Sequence, residues 1–586
     1  MSANQEMTRI FRQIGSALEL LGANPFRANA YARAARAVGD LSEELAAIVA
    51  ENPATAVDRL SAISGIGKAT AAKIVEFLDR GAVEEHRRLL EKVPGGLFEV
   101  LGIPGLGPKT VKLMWDELGI TSVEDLERHL GSPALASLPR MGVKTVDNIR
   151  RAIAFRAKSE RRMALGLARP LALDIVARLG KVPGVREVEF AGSLRRGRET
   201  IGDLDFLAVG DDPEALRDRF TGLAGVTEVL ARGDTKCSVR LESTGVAVQA
   251  DLRIVPAAAW GAALVYFTGS KDHNVRLREI AIKHGMHLNE YGLFPGTEAR
   301  PQERGVEPVA AAEEAAIYDA LGLPWVEPEL RQGGSELDGE PPELIVLADV
   351  VAELHAHTTA SDGKLSIAEL AAVAKARGLH TLAITDHSPA QPITNGLEPE
   401  RLLRHVDAIR EADAEIDGIR LLAGTEVDIL ADGRLDYDDD LLERLDVVVA
   451  SPHAALRQDP DIATERLLRA IRHPLVHIIG HPTGRIINRR EGLSPHMGAL
   501  FAAAAEHDTA LELNANPHRL DLRASHLRGA LERGCKIAID TDAHREAHFD
   551  HLTYGILTAR RAAMTAASCI NTWPAEKLHA WLRSKR

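Results

Sequence analysis

Along Gly245–Arg253 apolar and polar residues alternate, with Val246, Val248 and Ala250 on one face and Gln249, Asp251 and Arg253 on the other. A two-residue period predicts a strand with one face buried. After residue 350 the pattern changes to short apolar runs bounded by polar residues. Leu344–Val351, Thr381–Thr385, Leu421–Thr425, Val447–Ala450, Val476–Gly480, Ala510–Asn514 and Ile537–Asp540 read as seven strands. Helical stretches such as Ile367–Arg377 and Thr464–Arg472 separate them. Alternating strands and helices predict a parallel (β/α) barrel with its chemistry at the C-terminal strand ends. The N-terminal region differs again. Two segments, Ile63–Ile74 and Ile103–Lys112, each run from an apolar residue through Gly-x-Gly into a Lys-bearing helix.

Those glycines (Gly65 and Gly67, then Gly105 and Gly107) permit a tight hairpin whose backbone N–H groups open outward at a helix N-terminus, a natural phosphate site. Lys109 follows the second hairpin. The pair resembles the helix-hairpin-helix motif, which grips DNA backbone without reading sequence. A third copy at Leu138–Thr145 has Arg140 in place of the first glycine and reads as a structural relic.

A chain of 586 residues is too long for one core. Its 45% hydrophobic and 26% charged content are those of an ordinary globular protein. No apolar run is long enough to span a bilayer, and the first residues lack the order of a secretory signal. Cys237, Cys535 and Cys569 are widely spaced and indicate neither a disulfide framework nor a zinc ribbon. A reduced, cytoplasmic, nucleoid-associated monomer is expected. The formal charge of −13 is uneven: residues 1–170 hold 24 Lys and Arg against 20 Asp and Glu, and the remainder 47 against 64. Net charge therefore neither supports nor excludes nucleic acid as a partner.

The sharpest chemical signal is Gly192–Leu207. Asp203 and Asp205, two residues apart on an expected strand, project together after a loop rich in glycine, serine and arginine. Asp251, on the alternating strand, supplies a third carboxylate. Three carboxylates can hold two Mg²⁺ or Mn²⁺ ions beside a polyphosphate. This segment resembles the family X DNA polymerases, whose Gly-Ser, Arg-Arg-Gly and Gly-Asp-x-Asp signature is present without a gap. The resemblance implies that Asp203, Asp205 and Asp251 bind the metals and that Ser193, Arg196 and Gly202 hold the triphosphate. By the same likeness Tyr266 and Phe267 pack against the sugar, Gly269 belongs to the nucleotide site, Asn274 meets the new base and Arg278 the template side. In the N-terminal part Arg27 matches a 5′-phosphate ligand. Lys73 matches the lysine that forms a Schiff base in removing a 5′-deoxyribose phosphate; the residues alone leave a solvated helix lysine as the alternative.

Histidine usage then shifts. Of 22 histidines, 17 lie beyond residue 350, many at the ends of the apolar runs. His355-x-His357, Asp362-Gly363, Thr385-Asp386-His387, Gly424-Thr425-Glu426, His453, His481-Pro482 and Asp542-Ala543-His544 resemble the polymerase-and-histidinol-phosphatase (PHP) domain, with no ligand position lost. The resemblance implies three metals. His355, His357, Glu426 and Asp542 would hold one, Glu426 with His453 and His481 a second, and Asp362, His387 and His544 a third. Nitrogen and carboxylate donors suit Mn²⁺, and Zn²⁺ or Fe²⁺ also fit them.

The expected architecture is multidomain, α+β and α/β. Its domains are 1–82 and 83–160 (helix-hairpin-helix), 161–257 (nucleotidyltransferase palm with a mixed sheet), 258–330 (nucleotide selection), a Gly/Pro/acid-rich linker at 331–343, and 344–586 (seven-stranded PHP barrel). The expected activity is short-gap filling in DNA repair joined to manganese-dependent 3′→5′ trimming, with gapped or nicked duplex, dNTPs and other repair proteins as partners. A small-molecule phosphoesterase would leave the hairpin repeats without a purpose. A DNA-end scaffold would leave two metal sites unexplained.

Overall fold

The computed structural model describes residues 3–39, 45–51, 53–63, 65–103, 106–139, 141–142, 145–147, 149–150, 153, 162–243, 245–298, 300–390 and 392–585. They form two compact units, Met1–Glu160 and Arg161–Arg586.

The first unit is helical and has two cores. Phe11, Tyr31 and Ile74 centre one, and Val111, Met114 and Ile149 the other. The Ala3–Leu20 helix serves both: Phe11 and Ile14 face the first core, while Ala17 and Leu20 face the second. Each hairpin ends in an extended glycine that caps a helix, Gly67 before Lys68–Arg80 and Gly107 before Pro108–Leu118. Both helices stop at a left-handed glycine, Gly81 and Gly119, the residue that takes this conformation at least cost. Gly105 and Arg140 lie outside the described residues.

The second unit begins with a five-stranded mixed sheet. Its strand order is Val185–Phe190, Asp203–Gly210, Val246–Ile254, Lys236–Ser243, Val226–Arg232. Asp203–Gly210 and Val246–Ile254 are parallel and every other pairing is antiparallel. Phe206, Phe220 and Leu252 fill the space beneath. Helices Trp260–Thr268 and Lys271–Lys283 and a Met286–Asn289/Gly292–Pro295 hairpin follow.

Residues 331–343, expected as a linker, form a packed strap. Arg331 is fully buried and bonded to Glu314 at 2.7 Å and to the Val326 carbonyl at 2.9 Å. Leu337 is buried in the same core, and Arg276 holds Asp338 at 2.6 Å. A composition rich in Gly, Pro and acids matches a linker, but Asp338 is held by Arg276 and Glu336 lies 2.8 Å from the buried His273.

The barrel has seven parallel strands in sequence order. An Ala356–Ala543 bridge joins its first and last staves. Alternation along Val447–Ser451 divides the interior: Val448 and Ala450 join the outer core under the helices, while Val447 and Val449 point inward. The inward set is sealed by Trp573, Leu578 and Trp581 near the chain end. The run Leu344–Val351 is not a strand: it holds a 3-10 turn at Leu347–Asp349, and the first strand follows it at Ala352–Glu353, while the fifth, Ile478–Ile479, is shorter than its apolar run. Barrel residues Leu520, Tyr554 and Leu557 pack on the sheet's core, and Arg485 bonds Glu199 at 2.6 Å. Among the described residues no helix is long and apolar enough to cross a membrane.

Candidate functional site

In the sheet domain the parallel pairing sets Asp205 directly opposite Asp251, and the two-residue period brings Asp203 to the same face. The loop before them needs Gly192. Its φ is +62°, and a Cβ there would lie 2.4 Å from Asp205 Oδ2. A cavity of about 350 Å³ opens beside the carboxylates. Ser193, Arg196, Asp203, Asp205, Tyr266, Phe267, Gly269, Asn274 and Arg278 line it, together with Gly192, Thr268 and Lys271. Gly202 is not among them; the Arg162 guanidinium packs against it. Inside, Ser193 Oγ and Asn274 Oδ1 are buried without a hydrogen-bond partner, and polar ligand atoms would satisfy both. Phe267 lies under the Arg253 guanidinium at 4.4 Å.

The carboxylates are in a state that calls for cations. Burial first, then the charges of Asp203 and Asp251, push Asp205 up to about 6. Asp251 borrows a cation from the protein: Lys236 Nζ sits 2.8 Å from Oδ2, and Gln249 donates to Oδ1 at 3.1 Å. Divalent ions would relieve this crowding of negative charge. Lys236 carries no mark in the sequence, because its approach to Asp251 depends on antiparallel register between separate strands.

In the helical unit one carboxylate gathers three predicted or neighbouring groups. Glu85 accepts from Arg27 and from Tyr31 Oη (2.7 Å), and pairs with Lys73 Nζ at 3.0 Å. Arg27 and Lys73 therefore come together as expected of an anion site, with Glu85 standing where an anion would. Gly65 has φ +91° and lies close to Ala37, and Lys109 sits in the first turn of its helix.

The barrel brings all nine predicted donors to one end. Glu426 is the centre: His387 Nδ1 lies at 2.7 Å, His481 at 3.0 Å, His453 at 3.2 Å, His355 at 3.4 Å and His357 at 3.7 Å from its oxygens. Asp542 lies 3.1 Å from His357, and Asp362 is 3.3 Å from His544 and 3.6 Å from His387. Donor atoms close enough to share an ion form three groups: His355–His357–Asp542, His387–Glu426–His453, and His357–Asp362–His387–His544. His355 Nε2, both nitrogens of His357, His387 Nδ1 and both Glu426 oxygens are buried and make no hydrogen bond. Lone pairs converging without protons between them fit metal ions. His481 and Asp542 hold left-handed backbone, φ 24° and 53°, strain of the kind that collects at functional sites.

Charge inside the cluster is uneven. Against burial, Glu426 and Asp428 raise His453 to about 10, and Asp362 and Asp542 raise His544 to about 9. Burial lowers His357 and His481 to about 4.

Three carboxylates without a role assigned from the sequence support the donors. Glu512 takes a bond from His355 Nδ1 at 2.6 Å and also accepts the His481 N–H. Asp428 lies 3.2 Å from His453 Nδ1. Asp386 pairs with His405 at 2.8 Å and fixes the Thr358–Ser361 loop. The signal for Glu512 was present, since it sits on the one strand that received no ligand. By occupying Nδ1 it leaves His355 Nε2 free to coordinate. Glu512→Gln is expected to weaken metal affinity by roughly 10–100-fold, read from the Mn²⁺ concentration that half-saturates phosphodiester cleavage. An unchanged half-saturation would remove this role.

Comparison with known proteins accounts for most of the chain. The helix-hairpin-helix domain matches residues 2–83, a SAM-like helix-hairpin-helix tandem 98–154, the DNA polymerase beta thumb 263–332 and the PHP domain 353–516. A Bacillus subtilis (strain 168) protein named DNA polymerase/3'-5' exonuclease PolX is 36% identical over 581 residues, 99% of each chain. DNA polymerase lambda of Arabidopsis thaliana is 28% identical over 47% of this chain and 54% of its own. A probable phosphatase of Thermoanaerobacter sp. (strain X514) is 28% identical over 40% of this chain and 96% of its own.

Proposed function

The chain belongs to the family X DNA polymerases fused to a PHP domain, and from that premise we propose that one site fills short gaps in DNA while the other trims 3′ ends. The observation that carries the reading is the pairing of two separate carboxylate centres on one chain. One opens on a nucleotide-sized cavity, and the other is packed with histidine.

In the polymerase half, Asp203, Asp205 and Asp251 would hold Mg²⁺ or Mn²⁺, whose charge would activate an attacking hydroxyl and stabilise the leaving pyrophosphate. Ser193 and Arg196 grip the triphosphate, with Lys271 at the cavity wall. Tyr266 and Phe267 close on the sugar, Asn274 meets the edge of the incoming base and Arg278 the template side. The two hairpins offer helix N-termini to the phosphates of the duplex, and Arg27 faces a 5′-phosphate once Glu85 yields.

In the barrel, His355, His357, Asp362, His387, Glu426, His453, His481, Asp542 and His544 hold the ions, for which Mn²⁺ suits the donor set. Bound there, such ions lower the pKa of water and polarise phosphoryl oxygens. The chain's own part is to fix the ring nitrogens: Glu512 sets the His355 tautomer and Asp428 orients His453.

The test is a primer assay on one-nucleotide-gapped duplex in Mn²⁺, with the 3′ strand labelled, with and without dNTPs. Extension with dNTPs and shortening without them is the expected result. A primer that shortens but never lengthens would leave the first half as a DNA grip for the nuclease. Hydrolysis of small phosphomonoesters alone would move the barrel to the phosphatase reading.

A further inference from the structure

One barrel helix, Leu552–Arg561, reaches the nucleotide loop of the polymerase half. The barrel fixes its middle: a Cβ on Gly555 would come within 2.8 Å of both Ala515 and Ile539. Two residues on, Leu557 lies under Gly197, its Cβ 3.4 Å from where a Gly197 Cβ would be. At the end of the helix Arg561 Nη1 donates to the Arg196 carbonyl at 2.6 Å. Arg561 is itself held, its carbonyl accepting from Gln332 at 2.8 Å and Arg528 at 2.9 Å. Its guanidinium therefore ends on the turn that carries Ser193 and Arg196 into the cavity.

Charge gives the contact a direction. Burial lowers both Arg196 and Arg561 to about 10, and repulsion among Arg196, Arg198 and Arg561 adds to it. The neighbouring Glu199 is engaged by Arg485 at 2.6 Å. Guanidiniums gathered at this cost fit a site built for a polyphosphate, whose anionic oxygens offset the repulsion.

We propose that Arg561, supplied by the PHP half, is a positioning residue for the triphosphate loop, so that the nuclease domain completes the nucleotide-binding site of the polymerase. Arg561 does not line the cavity and acts through the Arg196 backbone. The inference rests on the polymerase reading above.

The test measures single-gap filling by the full chain, with KM for dNTP and kcat resolved, pyrophosphate inhibition followed in parallel, and exonuclease activity assayed on the same preparation. Arg561→Ala is expected to raise the dNTP KM by about tenfold with kcat within about twofold, as loss of one charge-assisted bond would do. Pyrophosphate inhibition should weaken alongside it, and exonuclease activity should stay unchanged. Arg561→Lys, which keeps the charge and one donor, should recover most of the loss. If alanine abolishes exonuclease activity as well, Arg561→Gln, which keeps bulk and loses charge, is read in its place. An unchanged KM, or a loss confined to kcat, overturns the inference. Failure of the unaltered chain to extend any primer would instead overturn the polymerase reading.

Discussion

Asp203→Ala is expected to cut primer extension by on the order of 10³-fold or more while leaving 3′ trimming intact. Asp203 and Asp205 share a face beside the cavity, and Asp251 stands opposite Asp205. Removing one carboxylate from such a set removes a metal ligand whose charge acts chiefly in the transition state, where lost stabilisation appears in kcat. A factor of 10³ corresponds to roughly 4 kcal/mol of barrier. Extension rates on gapped duplex, with trimming of the same labelled strand as the internal control, decide the matter. Normal extension by the variant would end the assignment of these carboxylates to catalysis.

The complementary expectation concerns Glu426. Five histidines lie within 3.7 Å of its two oxygens, all drawn from other strand ends. Against burial, the charges of His453, His387 and His355 hold its carboxyl well below the usual carboxylate range. Glu426→Gln keeps the shape and removes the charge that ties the metal groups together. Exonuclease turnover in Mn²⁺ is expected to fall by on the order of 10³-fold or more, with gap filling in Mg²⁺ within about twofold of the unaltered chain. Bound Mn²⁺ per chain, measured after dialysis, should fall too. Retained trimming with a full metal complement would show that Glu426 is a spectator.

How far these sites were legible in the sequence follows from where their residues sit. Asp203 and Asp205 are local, two residues apart, and their shared face could be read without a fold. Most barrel donors were legible because they follow apolar runs, and runs that alternate with helices have few ways to pack; Asp362 was marked only by its likeness to the PHP motif. Lys236 and Asp428 were not, and Glu512 was marked only as the acid on the one expected strand without a ligand. Each acts through register or through a neighbouring strand, and a lone Lys or Glu in a strand carries no mark of its partner. The strap at 331–343 misled for a related reason, since Gly, Pro and acidic residues look alike in a solvated tether and in a turn pinned by one buried arginine. At Lys73 the sequence located the residue but could not show Glu85 beside it.

Leu520 is buried in the apolar core of the sheet domain, and Tyr554 and Leu557 pack against it, although all three belong to the barrel. The seam between the halves is therefore built like the inside of a protein. Cutting the gene at the strap would yield two fragments, each baring oily surface that its partner now covers, and clumping is the ordinary fate of such patches. It also limits evolutionary shuffling: a PHP barrel borrowed from a stand-alone phosphatase would arrive with a water-adapted face where this chain needs a greasy one.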